Sequence, residues 1–451
     1  MHRKNILILT LVLLVSGLLG CKKYLDEKPQ LSLATPSTLK DLQAVLDDIL
    51  RQNRLSNELI EIGCDDYYAT TTGFFSSTQS DLLSYLWDPN AGTNDNFSWD
   101  HSYSVIYSDN VVLDALPKIV YDPKDSAQFN SIKGSALFYR AFQFYELAQV
   151  YCLPYADNTK SGLGIVLRTK PDIETKSVRA TLQETYEKII ADLKIAADLV
   201  PITTLYPTRP NKAAVYGMLA RVYLSMNDYV NAGNYANQCL QLYSTLMNYN
   251  NLTQGAIPHF NTETIYYNMT TASSFIYNGS IGKVDSTLYS SYAANDMRKT
   301  IFYKDNGDNT YRFVGSYDAD YYNQGIFDGI CTDEMYLIRA ESAARSGNKD
   351  AAIADLNTLL QTRWKTGTFT PFIAATAADA LKTVLTERRK ELTRRGLRWT
   401  DIRRLNAIGA NITLTRIING TTYTLPPGDL RWAYLISQYV IDHSEILQNP
   451  R

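Results

Sequence analysis

Two stretches of this sequence combine flat aromatic rings with carboxylates and amides, a mixture suited to binding a ligand. The first stretch runs from Asp65 to Trp99, and the second runs from Tyr277 to Gln324. Aromatic faces can stack on the apolar C–H faces of sugars, while Asn, Asp, Gln and Arg hydrogen-bond the hydroxyl groups. Both stretches are therefore candidates for a surface that binds a polyhydroxylated molecule.

The individual candidates are residues in polar, turn-rich segments, where a large ring can stay exposed. Trp87 is the first choice, because its ring offers the largest stacking face and Tyr85 and Asp88 nearby can supply hydrogen bonds. Leu83 and Leu86 beside it favour the alternative in which Trp87 belongs to the core. The full candidate set is Trp87, Tyr67, Tyr68, Asp66, Tyr85, Tyr317, Tyr321, Tyr322 and Asn323.

The sequence offers little for catalysis or for metal binding. Asp65 and Asp66 are adjacent, so in a strand they would point to opposite faces and make a poor acid–base couple for glycoside cleavage. The run 305–309 has the oxygen-rich composition of a calcium loop but lacks the closing glutamate of an EF-hand, and we expect a polar hairpin turn there. No Cys-x-x-Cys pair occurs, and the histidines after residue 20 are His101, His259 and His443. We therefore expect no catalytic residue, no metal and no cofactor.

The amino terminus has the pattern of a lipoprotein signal. Basic Arg3 and Lys4 precede an apolar run over 6–15, and the segment ends at Leu18-Leu19-Gly20-Cys21. The run falls short of the roughly 20 residues that a membrane-spanning helix needs. We expect removal of residues 1–20 and lipidation of Cys21. Four cysteines then remain, and we expect them to be buried and mostly unpaired rather than bridged.

The charge balance excludes one large class of partners. The chain has 451 residues, with 44 Lys or Arg and 46 Asp or Glu, so its formal net charge is −2. Removal of residues 1–20 takes away Arg3 and Lys4 and no acidic residue, which brings the charge to −4. An exported, acidic chain of this kind is no general nucleic-acid binder.

The two aromatic stretches need a scaffold to position them, and the periodicity of apolar residues predicts that this scaffold is helical. Apolar residues recur at three- and four-residue spacing in four segments before residue 200, and Thr181 with Glu184 forms a capping box for the last of them. The four predicted helices cover about 39–49, 99–120, 132–150 and 181–199. We therefore predict a mainly α fold.

Two later segments have the alternation of small and large residues that is typical of tetratricopeptide helix pairs. They lie at 212–243 and 336–359, with Ala220 and Ala232 in the first matched by Ala340 and Ala352 in the second. A 34-residue repeat does not divide the separation of the two, so we expect no uninterrupted tandem array. The predicted parts are a signal peptide (1–20), a lipidated tether (21–36), a helical half (37–247), a loop-rich, short-strand insertion (248–330) and a second helical half (331–451), with 37–451 as one compact unit.

The segment 387–404 is strongly basic, with eight Lys or Arg against three Asp or Glu. Glu387 with Lys390, Glu391 with Arg394 or Arg395, and Asp401 with Arg404 have ion-pairing helical separations. We favour structural pairing within the fold over a contact with a partner protein, and nucleic-acid binding is the least favoured interpretation.

Several of these motifs together resemble the SusD/RagB family of outer-membrane nutrient-uptake lipoproteins. They are the lipobox with Cys21–Pro29 (CKKYLDEKP), the scattered helical pairs, Glu387–Leu392 (ERRKEL), Gly396–Arg404 (GLRWTDIRR) and the ending Ser444–Pro450 (SEILQNP). The resemblance covers essentially the whole chain. It departs from the family pattern at Tyr439–His443 and at Arg394-Arg395.

The resemblance implies an α-helical fold with four tetratricopeptide-like pairs, no catalysis, and a place as the lid of a SusC-like TonB-dependent transporter. It also implies that loops from about the two aromatic stretches build the ligand face, with a glycan as the leading ligand. Peptide binding, as in RagB-like members, is the close alternative, and it would use charged contacts instead of stacked rings. A periplasmic tetratricopeptide scaffold is the alternative from another class, and it would show an uninterrupted concave groove without an aromatic platform.

The lipid anchor gives the first testable prediction. Because no apolar stretch after residue 20 approaches spanning length, Cys21→Ala should release folded, soluble protein from the membrane. The measurement is the share of protein in the membrane pellet, for wild type and variant, in cells that lack the transporter. Continued tight membrane association of the variant would contradict a lipid at Cys21 as the sole attachment.

Overall fold

One long helix, Ser126–Tyr151, lies at the centre of this computed structural model, which describes residues 36–55, 58–95, 97–253, 257–271, 281–317 and 325–451. All its residues from Gly134 to Tyr151 are buried. A helix buried on every side needs partners for its polar residues, and Arg140 lies 2.8 Å from the carboxylate of Asp192 on a neighbouring helix. The helices that precede and follow it in the chain pack against it.

The helices are numbered here in chain order. They are α1 Leu39–Leu46, α2 Ile49–Gln52, α3 Glu58–Gly63, α4 Thr71–Phe75, α5 Gln79–Tyr85, α6 Phe97–Ala115, α7 Ser126–Tyr151, α8 Leu182–Leu199, α9 Lys212–Ser225, α10 Tyr229–Leu242, α11 Ser286–Ser290, α12 Arg298–Ile301, α13 Thr332–Arg345, α14 Lys349–Gln361, α15 Ala377–Glu391, α16 Arg398–Ala407 and α17 Gln438–Ser444. The predicted mainly α fold is confirmed. The capping box of α8 is also as predicted, since the Thr181 side chain accepts from the Glu184 amide and Glu184 accepts from the Thr181 amide.

The strands are short and lie mostly outside the helical stack. They are β1 Arg54–Leu55, β2 Tyr67–Ala69, β3 Leu163–Val166, β4 Arg179–Thr181, β5 Thr264–Tyr266, β6 Met269–Thr271, β7 Gly282–Val284, β8 Tyr303–Asp305, β9 Tyr311–Phe313, β10 Gly325–Phe327, β11 Ile330–Cys331, β12 Leu414–Ile418 and β13 Thr421–Leu425. Within 248–330 they alternate with short helices and pack around a hydrophobic cluster of their own, which includes Tyr249, Phe302 and Phe327. The predicted hairpin turn at 305–309 joins β8 to β9.

The helices form a stack in which each packs against its neighbours in the chain. α6, α7, α8, α9 and α10 follow one another, and α10 then packs against α13. Arg339 Nη1 donates to Asn237 Oδ1 at 2.8 Å across this last contact, and a Cβ on Gly233 would lie 2.7 Å from Ser342 Cβ. The two predicted tetratricopeptide-like pairs, α9–α10 and α13–α14, are therefore neighbours in space. The chain of the insertion separates the two pairs in sequence, as expected, while α10 and α13 pack directly against each other in space.

Buried ion pairs connect the carboxy-terminal half to the insertion. Arg298 contacts Asp296 at 2.7 Å and Glu391 at 2.9 Å, and Arg363 contacts Glu391 at 2.7 Å and Glu263 at 2.8 Å. The side chains of these five residues are all fully buried. Glu391, at the end of α15, thus joins two arginines that come from different parts of the chain.

The basic segment 387–404 has the structural role that its sequence favours. Glu387 contacts Lys390 at 2.8 Å, and Asp401 contacts Arg404 at 2.8 Å, as predicted. The predicted pairing of Glu391 with Arg394 or Arg395 is wrong, because α15 ends at Glu391 and Arg394 adopts a left-handed backbone with φ of 59°. After this turn, Arg395 contacts Asp333 of α13, with 3.0 Å between Nη1 and Oδ2.

Residues Thr38–Arg451 form one compact unit. Four cysteines, Cys64, Cys152, Cys239 and Cys331, are buried and not disulfide-bonded within it. Among the described residues, none of the helices has the length and apolar character needed to cross a membrane. Cys21 and the rest of the predicted signal and tether up to residue 35 lie outside the described residues.

The contact between the two helical pairs gives a stability prediction. Arg221 of α9 contacts Glu334 of α13 through Nε at 3.0 Å and through Nη2 at 2.7 Å, and both side chains are buried. Arg221→Met leaves the Glu334 carboxylate buried without its charge partner, so we expect a loss of about 3–5 kcal/mol in the free energy of unfolding. Urea unfolding followed by circular dichroism measures the loss.

Lys118→Met is the matched control, because Lys118 pairs with Asp114 at 2.6 Å while both side chains are exposed. That change should alter stability by less than about 1 kcal/mol. The double variant Arg221→Met/Glu334→Leu should recover part of the loss, since it removes the stranded carboxylate as well. A loss below about 1 kcal/mol for Arg221→Met would contradict the structural role of this pair.

Candidate ligand-binding site

The two aromatic stretches of the sequence meet in one small sheet. Strand β2 pairs with β7 in antiparallel register, with Tyr68 opposite Lys283. Because adjacent strand residues point to opposite faces, Tyr67 is buried at 3% exposure while Tyr68 is exposed at 39%. The sheet therefore turns one tyrosine ring of this pair toward solvent.

A second exposed ring follows directly after β2. Helix α4 is capped by Thr70, whose side chain accepts from the Gly73 amide, and the helix ends at Phe75. Phe75 is 64% exposed, and its ring contacts the buried Phe74 edge-on at a centroid distance of 5.2 Å. The close approach of Gly73 to Ile281, where a Cβ would lie 2.8 Å from the Ile281 Cα, holds α4 against the strand partner β7. Tyr68 and Phe75 thus lie on either side of a tight, glycine-dependent turn.

A stacked pair of tyrosines lies where the chain continues from β7. The rings of Tyr289, on α11, and Tyr311, on β9, are 3.5 Å apart between centroids and 16° from parallel. Lys299 Nζ lies 4.7 Å from the centroid of the Tyr289 ring, a cation–π distance. Both rings are half-buried. This pair therefore adds two aromatic rings from the second stretch, one on α11 and one on the β8–β9 hairpin.

Polar groups connect these rings. Lys283 Nζ lies 3.3 Å from Asp308 Oδ2 in the β8–β9 turn, and Arg312 Nη1 donates to Asn306 Oδ1 at 3.0 Å. Partial burial, followed by the charges of nearby carboxylates, raises the pKa of Tyr68 above its ordinary value. The Tyr68 hydroxyl therefore stays protonated at neutral pH, and it can both donate and accept a hydrogen bond. The name β2–β7 face is used below for the surface on and beside this sheet that carries Tyr68, Lys283, Asp308 and the Tyr289–Tyr311 pair, together with Phe75, which is exposed at the end of α4.

Ion pairs fix the turn that leads into β2. Arg398 contacts Asp65 through Nε at 2.7 Å, and Arg389 contacts Asp66 at 3.1 Å and Asp285 at 3.7 Å. Although burial opposes it, the Arg398 charge lowers the pKa of Asp65 to about 2. Asp285 is the amino-terminal cap of α11, so one guanidinium holds both segments that carry exposed rings. The side chain of Asp66 is buried and paired with Arg389, so it is not exposed as its candidacy for ligand contact requires.

The expectation that Trp87 offers an exposed stacking face is also wrong. Its ring is 2% exposed, and its Nε1 donates to the Gly63 carbonyl at 2.9 Å. The guanidinium of Arg416, on β12, lies 4.9 Å from the Trp87 ring, 3.5 Å from the Tyr85 ring and 5.1 Å from the Tyr67 ring. Trp87, Tyr85 and Tyr67 therefore surround a buried cation inside the protein and leave no face for a ligand.

Tyr317 is likewise internal. Its hydroxyl donates to Glu263 at 2.9 Å and lies 3.1 Å from Asp333, and the guanidinium of Arg395 lies 4.6 Å from its ring. The remaining candidates, Tyr321, Tyr322 and Asn323, lie outside the described residues, as do Tyr277 and Asn278. Of the predicted candidates that the structure describes, Tyr68 alone is exposed. The candidate set omitted Phe75, although the polar Ser76-Ser77 that follows it and ends its helix was a signal of exposure.

The family models match both halves of the chain. The model described as starch-binding and associating with the outer membrane matches residues 23–224, and the SusD family model matches residues 206–438. The chain belongs to the SusD family. This confirms the resemblance in the sequence motifs.

Known relatives agree with this assignment. SusD-like protein P2 of Formosa agariphila is 26% identical over 247 residues, which are 51% of this chain and 45% of that protein, so the match spans about half of the relative's length. A SusD superfamily protein from Bacteroides thetaiotaomicron has a TM-score of 0.76 at 20% identity, over 92% of this chain and 100% of that one. A laminarin-binding SusD-like protein has a TM-score of 0.65 at 18% identity, over 91% and 97%. The two structural similarities establish the fold.

One buried carboxyl has an unusual proton affinity. Glu61, on α3, accepts from the Gly396 amide at 2.7 Å and lies 3.7 Å from Arg394. Burial raises the pKa of Glu61 to about 7, despite the opposing charge of Arg394. The folded protein therefore holds a proton on this group at pH values where the unfolded chain, with an ordinary glutamate pKa, has released it.

This difference predicts a pH-dependent stability. Because the folded state binds the extra proton, the free energy of unfolding of the wild type should decrease as the pH rises from about 4.5 to about 7. The decrease relative to Glu61→Gln should be about 2–3 kcal/mol. The glutamine variant is the control, since it keeps a side-chain acceptor for Gly396 and cannot titrate. Denaturant unfolding of both proteins at half-unit pH steps measures the difference. A difference that stays constant over this range would contradict a neutral Glu61 in the fold.

Proposed function

We propose that this protein is a lipid-anchored, outer-membrane nutrient-binding protein that captures a glycan and delivers it to a SusC-like TonB-dependent transporter. The observation that carries the proposal is the β2–β7 face, where Tyr68 and Phe75 stay exposed beside ion-paired polar groups. A large aromatic ring left in solvent costs free energy unless a ligand covers it, and sugar rings are suitable partners for it. The outer-membrane description of the matching family model supports the location.

The charges on the face favour a glycan over a peptide. A peptide ligand needs charged side chains that are free to pair with it, whereas Lys283 already contacts Asp308 and Arg389 contacts Asp66 and Asp285. Breaking these pairs to bind a peptide would leave charges without partners. Neutral hydroxyl groups of a glycan can be hydrogen-bonded without breaking these ion pairs. The laminarin-binding relative also supports a glucan or a related polysaccharide as the ligand class.

We propose no catalytic step. The two adjacent carboxyls at the edge of the face, Asp65 and Asp66, are each held by an arginine, Arg398 and Arg389 respectively. A glycosidase requires one carboxylic acid and one carboxylate that face each other across the scissile bond. Affinity for the ligand and transfer to the transporter are sufficient for the proposed role.

Removal of either exposed ring should weaken glycan binding. For a glycan identified on an array that includes laminari-oligosaccharides, Tyr68→Ala and Phe75→Ala should each lower the affinity by about 1–3 kcal/mol, roughly 5- to 150-fold. Both side chains are exposed, so melting temperatures should stay near that of the wild type. Isothermal titration calorimetry measures the affinity.

Tyr206→Ala is the matched control, because Tyr206 is an exposed tyrosine outside the β2–β7 face. It should bind like the wild type. A peptide pool tested in parallel separates the two ligand classes. If Tyr68→Ala and Phe75→Ala both bind glycan with wild-type affinity, the β2–β7 face is not the site.

A further inference from the structure

A second aromatic groove lies apart from the β2–β7 face and shares no residue with it. One wall is helix α6, the second is the segment 166–177 that follows β3, and the third is formed by α17 and Ile446. Its volume is about 270 Å³. This is close to the lower end of the range of about 300–1,000 Å³ for small-molecule sites. The name α6 groove is used for it below.

The floor of the α6 groove is a stripe of aromatic residues. Trp99, Tyr103 and Tyr107 follow one another at four-residue spacing, so they lie along one face of α6. The Trp99 and Tyr103 rings are 4.7 Å apart, and Tyr107 is 46% exposed. An aromatic stripe on a helix normally packs against another element. Here Trp99 is buried against Tyr151 and Tyr103 is half-buried with its hydroxyl bonded to the Val166 backbone, so Tyr107 is the ring of the stripe that solvent reaches most readily.

The wall opposite this stripe is polar and held in place. Arg168 Nη2 donates to Ser177 Oγ at 2.7 Å, and Asn110 of α6 donates to the Arg168 carbonyl at 2.9 Å. Asn110 in turn accepts from Arg140 Nη1, at 2.8 Å, and Asn110 and Arg140 are both buried. The hydrogen bonds connect the segment 166–177 to the core of the fold. A ligand would therefore meet a preformed wall and would not have to order it.

The groups on this wall can hydrogen-bond hydroxyls. Arg168, Lys170 and Asp172 line the groove together with the hydroxyl of Ser177. The Tyr107 hydroxyl makes no hydrogen bond with any residue that the structure describes, so it is available as both donor and acceptor. The exposed Tyr107 ring on one side and the polar side chains on the other match a sugar ring, which has apolar C–H faces and a hydroxylated rim.

From this arrangement we infer that the α6 groove is a second saccharide site, which binds one or two sugar units of the same glycan as the β2–β7 face. The inference rests on the proposed function for the identity of the ligand class. Its consequence is avidity, because a long chain that reaches both sites is held more tightly than either site alone would hold it. Short oligosaccharides would occupy the two sites independently.

The experiment uses trisaccharides, because so short a ligand does not reach both sites at once. The measured stoichiometry then gives the number of sites per chain. Laminari-, malto-, cello-, xylo- and manno-trioses are titrated calorimetrically into the full mature protein, and saturation-transfer NMR follows the weaker event. Wild type should bind at least one of them at two sites per chain. Tyr107→Ala and Tyr68→Ala should each lose one site, and the double variant should bind more than tenfold more weakly than either single variant.

The controls separate binding from folding. Tyr107→Trp keeps a flat ring and should retain the second site, while Tyr206→Ala should leave both sites intact. Melting temperatures near that of the wild type show that the variants fold. A single site per chain in the wild type, abolished by Tyr68→Ala and unaffected by Tyr107→Ala, would overturn the α6 groove and leave the proposed function standing. If no trisaccharide binds the wild type at all, the inference and the proposed glycan function both fail.

Discussion

The buried ion pairs around α15 are the constraint on which the rest of this structure depends. Arg298 of the insertion and Arg363 after α14 both contact Glu391 of α15, and Arg363 also contacts Glu263 of the insertion. Arg389 of α15 contacts Asp66 before β2 and Asp285 after β7. Such pairs add little net stability compared with apolar residues, but breaking one is costly, because the remaining charge has no solvent. We infer that they select one arrangement of three distant chain segments. The β2–β7 face exists only in that arrangement, since β2 and β7 come from different segments.

The helical scaffold could be predicted from the sequence because its signals are local. Thr181 and Glu184 mark the start of α8, and the small residues Ala220, Ala232, Ala340 and Ala352 mark two helical pairs; all four alanines are fully buried. The direct packing of α10 against α13 could not be predicted in this way. It depends on contacts between residues far apart in the chain, such as Arg339 with Asn237, which leave no periodic signal.

The candidate site was predicted at the level of segments and missed at the level of single residues. The sequence located both stretches, and β2 and β7 do meet. A polar local context favours exposure of the large rings Trp87, Tyr85 and Tyr67, but all three are buried around Arg416, which comes from a strand more than 300 residues later. A cation that arrives from so far along the chain cannot be inferred from local composition. Phe75 was missed for the opposite reason, because Phe74 beside it is buried while its own ring is exposed.

In the proposed function, a preformed aromatic face held by ion pairs binds the glycan. The most direct test is a crystal structure of the protein with a bound oligosaccharide, compared with the ligand-free crystal structure. We expect sugar rings stacked on Tyr68 or Phe75, with the β2 and β7 backbone shifted by less than about 1 Å and the contacts of Arg389 to Asp66 and Asp285 intact. Sugar bound away from both rings, or a face that forms only after those ion pairs break, would contradict it.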